Sequence, residues 1–425
     1  MVARKMTDTR PVSAFTPGQF RDRFRIPDGG SGEPGIYLCG NSLGAQPKAA
    51  ADAVDSELER WARLGVAGHF DGPTAWTEYH ELLTTPLAGL CGARDIEVVA
   101  TGTLTANLHQ MLISFYRPRG KRRRILMEKG SFPSDRYAVA SQVHLHGLDP
   151  EHDVVELAPR RDGLLHEEDV EDYLERYGEQ VALVLWPGVQ YATGQVFDTA
   201  RICRAAQKAG SAVGLDLAHA VGNVPLNLHE DGPDFAVWCS YKYLNAGPGA
   251  IAGLFVHERH AHFDGPRLAG WWGQDVHTRF QMRPRFRPEA GAAGWQLSTL
   301  PILATAPLLA SLQLFEEAGG IETLRHASLE LTGYLAHLLQ QELEDEIDIV
   351  TPLEPHRRGC QLSLRLHAGE AAGRRLFERL EAHGVTCDWR APDIIRAAPA
   401  PLYNNREDVE RFVELTGKLL AADTR

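Results

Sequence analysis

The 425-residue chain has six cysteines (Cys39, Cys91, Cys203, Cys239, Cys360, Cys387) and no CxxC pair. That spacing excludes a zinc-ribbon or thioredoxin-type motif and leaves reduced, mostly buried thiols as the expectation. No stretch approaches the roughly 20 apolar residues that cross a bilayer, and Met1 to Asp8 lacks the apolar core of a signal peptide. A cytoplasmic location with no membrane partner is expected. Basic residues are the minority, 44 Lys and Arg against 56 Asp and Glu for a net charge of −12, which argues against nucleic acid as a partner. The basic run Lys121 to Arg124 reads as a solvated turn before the strand Ile125-Leu126-Met127. There is no GxxxxGK[ST] loop, and Gly247 to Ala252 imitates GxGxxA but leads into a strand where the dinucleotide fingerprint must open a helix. His257, His260 and His262 lack HExxH spacing and read as surface histidines, so no metal is expected. No tandem repeat or low-complexity linker appears.

Alternating strand and helix patterns fill the rest of the chain. Val181 to Trp186 reads as a buried strand, and Thr199 to Ala209 as a helix capped by Asp198 and ended by Gly210. The strand Ala212 to Leu215 follows, completing a βαβ unit. Glu167 to Tyr177 supplies the preceding helix, with Val170, Tyr173 and Leu174 on one face. These units predict an α/β domain with a mainly parallel sheet. Beyond residue 300 the pattern predicts helices over Leu303–Glu317, Leu329–Leu343, Ala371–Ala382 and Arg406–Leu420, the last capped by Asn405. Strands are predicted over Ile347–Val350, Leu362–Leu366, Val385–Trp389 and Ile394–Ala397. This is a second, smaller α/β unit, as expected for a chain longer than one core normally serves.

Lys242 follows the apolar run Phe235 to Cys239, and Asp216 closes the apolar run Ala212 to Leu215, 26 residues upstream. A lone lysine after a strand is ordinarily a solvated charge, and a lone aspartate a cap. Together at successive strand ends they are what pyridoxal phosphate (PLP) chemistry uses: an amine to condense with the cofactor aldehyde, and a carboxylate to keep the pyridine nitrogen protonated. The glycines of Asn245 to Gly253 allow close backbone approach beside the lysine.

The segments Asp216 to Asn223 and Trp238 to Gly253 resemble kynureninases. So do Leu38 to Lys48, Leu104 to His109, Phe132 to Asp135, Gly270 to Gly273, Ile395-Arg396 and Pro399 to Asn404, so that the resemblance runs through almost the whole chain in order. It implies a PLP-dependent transferase fold of type I. The large domain, with a mainly parallel seven-stranded sheet, would span 51–300, the smaller C-terminal α/β domain 301–425, and residues 1–50 would pack on the small domain. The implied reaction is hydrolysis of kynurenine or 3-hydroxykynurenine to anthranilate or 3-hydroxyanthranilate and alanine, in tryptophan catabolism and on the way to NAD. The resemblance assigns Lys242, Asp216 and Tyr241 to catalysis, Tyr241 as proton donor, relay or anchor. Leu104, Thr105, Phe132, Asp135, Asp216, His219, Tyr241 and Lys242 would hold the cofactor, with Trp271 and Thr299 reaching a neighbouring subunit's site in a homodimer. Arg396 is the implied clamp for the substrate α-carboxylate, with His69 and Ser42 near its aromatic end. Pro187 and Thr299 depart from the pattern, standing where relatives often have serine and asparagine. The alternatives are a cysteine desulfurase or class V aminotransferase, which share the fold and the lysine, and a PLP-binding regulatory protein without turnover.

Overall fold

The computed structural model describes residues 15–30 and 34–423; the opening Met1 to Asp8 lies outside them. Seven strands form the main sheet: β1 (Val98–Ala100), β2 (Arg124–Glu128), β3 (Val154–Leu157), β4 (Val181–Pro187), β5 (Ala212–Asp216), β6 (Phe235–Trp238) and β7 (Gly253–Val256). Their order is β1-β7-β6-β5-β4-β2-β3, and β7 alone runs against its neighbours. The fold is therefore α/β with a mainly parallel seven-stranded sheet, as expected. The predicted βαβ unit is β4, the helix Thr199–Lys208 and β5, with Val184 facing Val213 in register.

The central strands are apolar up to their end residues because helices cover both faces. On one face, Leu108, Met111 and Leu112 of helix α1 (Leu104–Phe115) pack with Val139 and Val143 of helix α2 (Pro133–Leu145). On the other, Val170 and Leu174 of the helix Glu167–Tyr177 pack with Ile202 and Ala206. Two glycines make room within this packing. A Cβ on Gly214 would lie 2.1 Å from the ring of Phe235, its neighbour in register, and one on Gly253 2.0 Å from the ring of Trp238.

The smaller sheet is antiparallel, β8 (Ile347–Ile349), β9 (Leu362–Leu366), β10 (Asp388–Arg390) and β11 (Ile394–Ala397), in the order β8-β9-β11-β10. The run Val385 to Trp389, expected as one strand, divides at Cys387. Val385–Thr386 pairs in parallel with Ile36–Tyr37 from the start of the chain, whereas β10 pairs with β11, so different partners claim the backbone on either side of that residue. The helix expected from Leu329 begins instead at Gly320, after Gly319 has broken the preceding helix with φ 89°. Thr323, Leu324 and Ala327 bury its extra turns. That helix, α3 (Gly320–Leu343), gives Leu324 and Ala327 to the core of the large sheet and Leu331, Leu335 and Leu339 to the core of the small one.

Two expectations for polar residues are revised. The basic run does form a turn, but its charges are engaged: Arg122 donates to the carbonyls of Val181 at 2.8 Å and Ala209 at 2.9 Å, and Arg123 pairs with Asp153 at 2.8 Å. His257 and His260 are half-buried rather than surface residues, the first donating to the His229 carbonyl at 3.2 Å and the second paired with Asp234 at 2.7 Å. They sit against different partners, His257 also lying 3.7 Å from Glu97, which His229 meets at 3.0 Å. All six cysteines are buried and free.

Gly214→Ala tests the sheet packing. The added methyl group has to displace the Phe235 ring, so urea unfolding should show a loss of about 1–3 kcal/mol, and Phe235→Leu in the same chain should recover part of it. Additive losses in the double variant would show that the glycine is not spaced by that ring.

Candidate active site

Because β1, β2, β4, β5 and β6 run in one direction, the residues following them gather at one edge of the sheet, where open α/β sheets bind ligands. Leu104 and Thr105 follow β1, Phe132, Ser134 and Asp135 follow β2, and Val189 and Tyr191 follow β4. Asp216 ends β5 with His219 just beyond, and Tyr241 and Lys242 follow β6. All of them line one cavity.

Lys242 is the centre of that cavity. Its Nζ lies 3.1 Å from His219 Nε2 and over the rings of Phe132 at 5.8 Å and Tyr241 at 5.9 Å. Burial, then the lysine charge, hold His219 well below the ordinary imidazole range, so it accepts at Nε2 and its ring proton is left to Nδ1, which meets no partner. Asp216 accepts the amide N–H of Ala218 at 2.7 Å. Asp135 is buried beside it and is pushed well above the usual carboxylate range by desolvation and then by Asp216. Burial and the adjacent Cys239 thiol raise the Tyr241 phenol. Helix α1 begins at the cavity with no side chain capping its first amides, and the Thr105 and Ser134 hydroxyls are 2.7 Å apart there. A helix start with free amides is an anion site. The cap position is Thr103; Thr105 lies inside the first turn.

The eight residues expected around the cofactor (Leu104, Thr105, Phe132, Asp135, Asp216, His219, Tyr241, Lys242) thus come together. The others lie outside this cavity. Arg396 is fully buried behind it, with Nη1 donating to the carbonyl of the cavity residue Tyr191 at 2.7 Å. Ser42 sits in the turn Cys39 to Gly44, whose Gly44 N–H donates to the Tyr241 carbonyl at 2.9 Å. Trp271 is half-exposed and belongs to a surface run of aromatics: its ring meets Phe280 at 5.5 Å, Phe280 meets Phe70 at 5.4 Å, and Phe70 meets His69 at 6.3 Å. Thr299 is a half-buried loop residue on the way to the helix Ile302–Glu317.

Sequence reasoning missed Glu128, Ser134, Tyr191 and Asp388. Ser134 stood inside a quoted motif, and Asp388 shows only through its pairing with Arg396. Glu128 closes the apolar strand β2 just as Asp216 closes β5, so the same signal would have found it. Its carboxyl is 2 % exposed, and desolvation, followed by the nearby Asp216, pushes its pKa up to about 8, against a Gln190 contact that lowers it. Because the unfolded chain gives up this proton near the ordinary carboxylate value and the folded chain only near 8, stability is lost as pH rises through that window and is flat above it. Glu128→Gln keeps the shape of the protonated form, so cofactor-free Glu128→Gln should gain on the parent protein between pH 5 and pH 8.5, by on the order of a few kcal/mol in denaturant unfolding. Parallel stability curves would show that Glu128 is ionised in the folded protein.

Residues 324–416 match the family described as the kynureninase C-terminal domain. A kynureninase of Xanthomonas oryzae pv. oryzae (strain PXO99A) is 56 % identical over 394 residues, covering 92 % of this chain and 93 % of that protein. Among solved structures, the Escherichia coli cysteine desulfurase CsdA superposes with a TM-score of 0.76 at 19 % identity, over 96 % of this chain and 99 % of the other. A C-DES variant with glycine covalently linked to its PLP cofactor does so with a TM-score of 0.75 at 19 % identity, over 92 % and 99 %. The desulfurase-like structures give the fold, and the far higher identity to the Xanthomonas enzyme gives the family: the chain belongs to the kynureninases.

Proposed function

We propose that the protein binds PLP in the cavity around Lys242 and hydrolyses kynurenine or its 3-hydroxy form. The observation that carries this reading is the juxtaposition of a half-buried lysine amine, a strand-end aspartate and an uncapped helix start in one cleft of a kynureninase-family chain. The residues present fit the cofactor. Glu128 Oε2, Asp135 Oδ1 and His219 Nδ1 are buried polar atoms without protein partners, which a polar ligand would satisfy. In this reading Lys242 would hold the cofactor through its aldehyde, Asp216 and Asp135 would serve the ring nitrogen, Phe132 would cover the ring, and Leu104, Thr105 and Tyr241 would hold the phosphate. When bound, the group supplies an electron sink for the pair left when the α proton departs.

The chain's own residues do the rest. The Lys242 amine would be the base that takes the α proton. His219, neutral and within hydrogen-bond reach, keeps that amine in place without competing for its proton. Arg396 holds the substrate α-carboxylate, which fixes the α carbon. Water adds to the aryl ketone, the bond between the β and γ carbons breaks, and the water oxygen stays with the aryl carbon as the anthranilate carboxylate. The β carbon then takes a proton to become the methyl group of alanine, with the Tyr241 hydroxyl as donor or relay, and Lys242 returns a proton to the α carbon. A desulfurase needs an accessible cysteine near the lysine, and here every cysteine is buried.

The exposed aromatic run from His69 to Trp271 supports a homodimer in which Trp271 and Thr299 reach the partner's site, since contiguous exposed aromatics mark interfaces. Sedimentation equilibrium of the PLP-loaded protein should return twice the chain mass of 46.9 kDa; a monomer under assay conditions would refute the shared site.

Activity and attachment are tested together. Purified protein with PLP should release anthranilate from kynurenine and no sulfide from cysteine, and borohydride reduction followed by peptide mapping should place the pyridoxyl label on Lys242. A label on Lys129 or Lys208, or sulfide in place of anthranilate, would overturn the assignment.

A further inference from the structure

Strands β10 and β11 bring three charged side chains together beside Tyr191. Asp388 faces Arg396 in register, and Arg390 faces Ile394. Arg396 Nε donates to Asp388 Oδ1 at 3.1 Å, and its Nη2 lies 2.7 Å from Oδ2. Arg390 Nη2 donates to the same Oδ2 at 3.1 Å. Two guanidiniums therefore share one carboxylate, and the trio carries one unbalanced positive charge.

Hydrogen bonding leaves a matching deficit. Arg396 Nη2 and Arg390 Nε are both shielded from solvent and neither has a hydrogen bond; the close approach of Arg396 Nη2 to Asp388 is an ion pair without an aligned N–H. Arg396 is fully buried, whereas the Arg390 side chain is 34 % exposed; donors shielded from water are nonetheless costly to leave unmet unless an acceptor arrives to take them. The cluster borders the Lys242 cleft. Arg396 donates to the Tyr191 carbonyl, and the Tyr191 ring lies edge-on to Phe132 at 5.3 Å. Lys242, Arg396 and Arg390 all act electrostatically on His219, and Tyr191 and Cys39 act on Arg390.

We infer that the α-carboxylate of the substrate amino acid is received by Arg390 together with Arg396, and that Asp388 is the positioning residue that holds the two guanidiniums side by side. This rests on the reading of the cleft as an amino-acid site. One carboxylate neutralises the cluster and satisfies the two orphaned donors at once. A ligand without that group would leave the two shielded donors unmet beside an unbalanced positive charge, so the pair also sets specificity for a free carboxylate.

The test uses PLP-loaded protein and two readouts, turnover of kynurenine and equilibrium binding of L-alanine followed by cofactor absorbance. Arg390→Gln should weaken L-alanine binding and raise the KM for kynurenine by about tenfold or more, the scale of a lost charged hydrogen bond. The resting cofactor spectrum should not change, and kcat should change less than KM. Arg390→Lys should recover part of the loss. Asp388→Asn should weaken both ligands although both arginines remain, and Asp388→Glu should recover part of that loss. Values for Arg390→Gln within twofold of the parent would overturn the role of Arg390, and unchanged or tighter binding in Asp388→Asn would overturn that of Asp388. An enzyme that follows this pattern with L-alanine yet releases no anthranilate would sink the functional reading and leave the carboxylate inference standing.

Discussion

Removing several carboxyl groups from water beside one lysine amine at a single sheet edge is the constraint that the surrounding structure answers. Asp216, Asp135 and Glu128 cannot all be charged in so dry a cleft, and two of them are raised well above the ordinary carboxylate range by burial and by one another. The one amine is met by a neutral imidazole and two aromatic faces rather than by a carboxylate at salt-bridge distance. Such a cleft is expensive to keep open. It is supported by a sheet whose central strands are apolar up to their end residues and by helices on both of its faces, which is where the folding free energy of this region comes from.

Much of this was legible in the sequence. Apolar runs closed by Asp216 or followed by Lys242 mark buried strands whose ends carry chemistry, and the alternation of strands with amphipathic helices gives the parallel sheet. What could not be read is pairing across distance. Nothing local announces that Asp388 lies against Arg396, that Tyr191 hands its carbonyl to that arginine, or that Val385–Thr386 leaves its own sheet to meet Ile36–Tyr37. Nor does a motif state which side of the chain's surface it reaches. His69 occupies a position read as near the aromatic end of the substrate, and the fold carries it to a surface aromatic run outside the Lys242 cavity.

The loop after β4 joins the two sheets chemically. The Tyr191 carbonyl takes donors from Arg396 at 2.7 Å and Gln361 at 3.1 Å, and the Ala192 carbonyl takes one from Ser363 at 2.6 Å. Asn41 from the start of the chain completes this layer with a bond to Gln361 at 2.9 Å. Buried networks of this kind cost much to break singly because each loss strands its partner. They hold Arg396 and the Lys242 cleft in one frame of reference.

The long helix α3 has a mechanical consequence. It is one continuous rod whose Ala327 is embedded in one core and whose Leu331, a single turn on, is embedded in the other. The two sheets therefore cannot pivot about a slack tether there. Any rocking of the small sheet toward the cleft has to be taken up as twist or bend within that one turn, where Thr332 already donates its hydroxyl to the Ser328 carbonyl at 2.8 Å, or as sliding of side chains along the rod. The protein is built less like a hinged box than like two leaves fixed to a common axle.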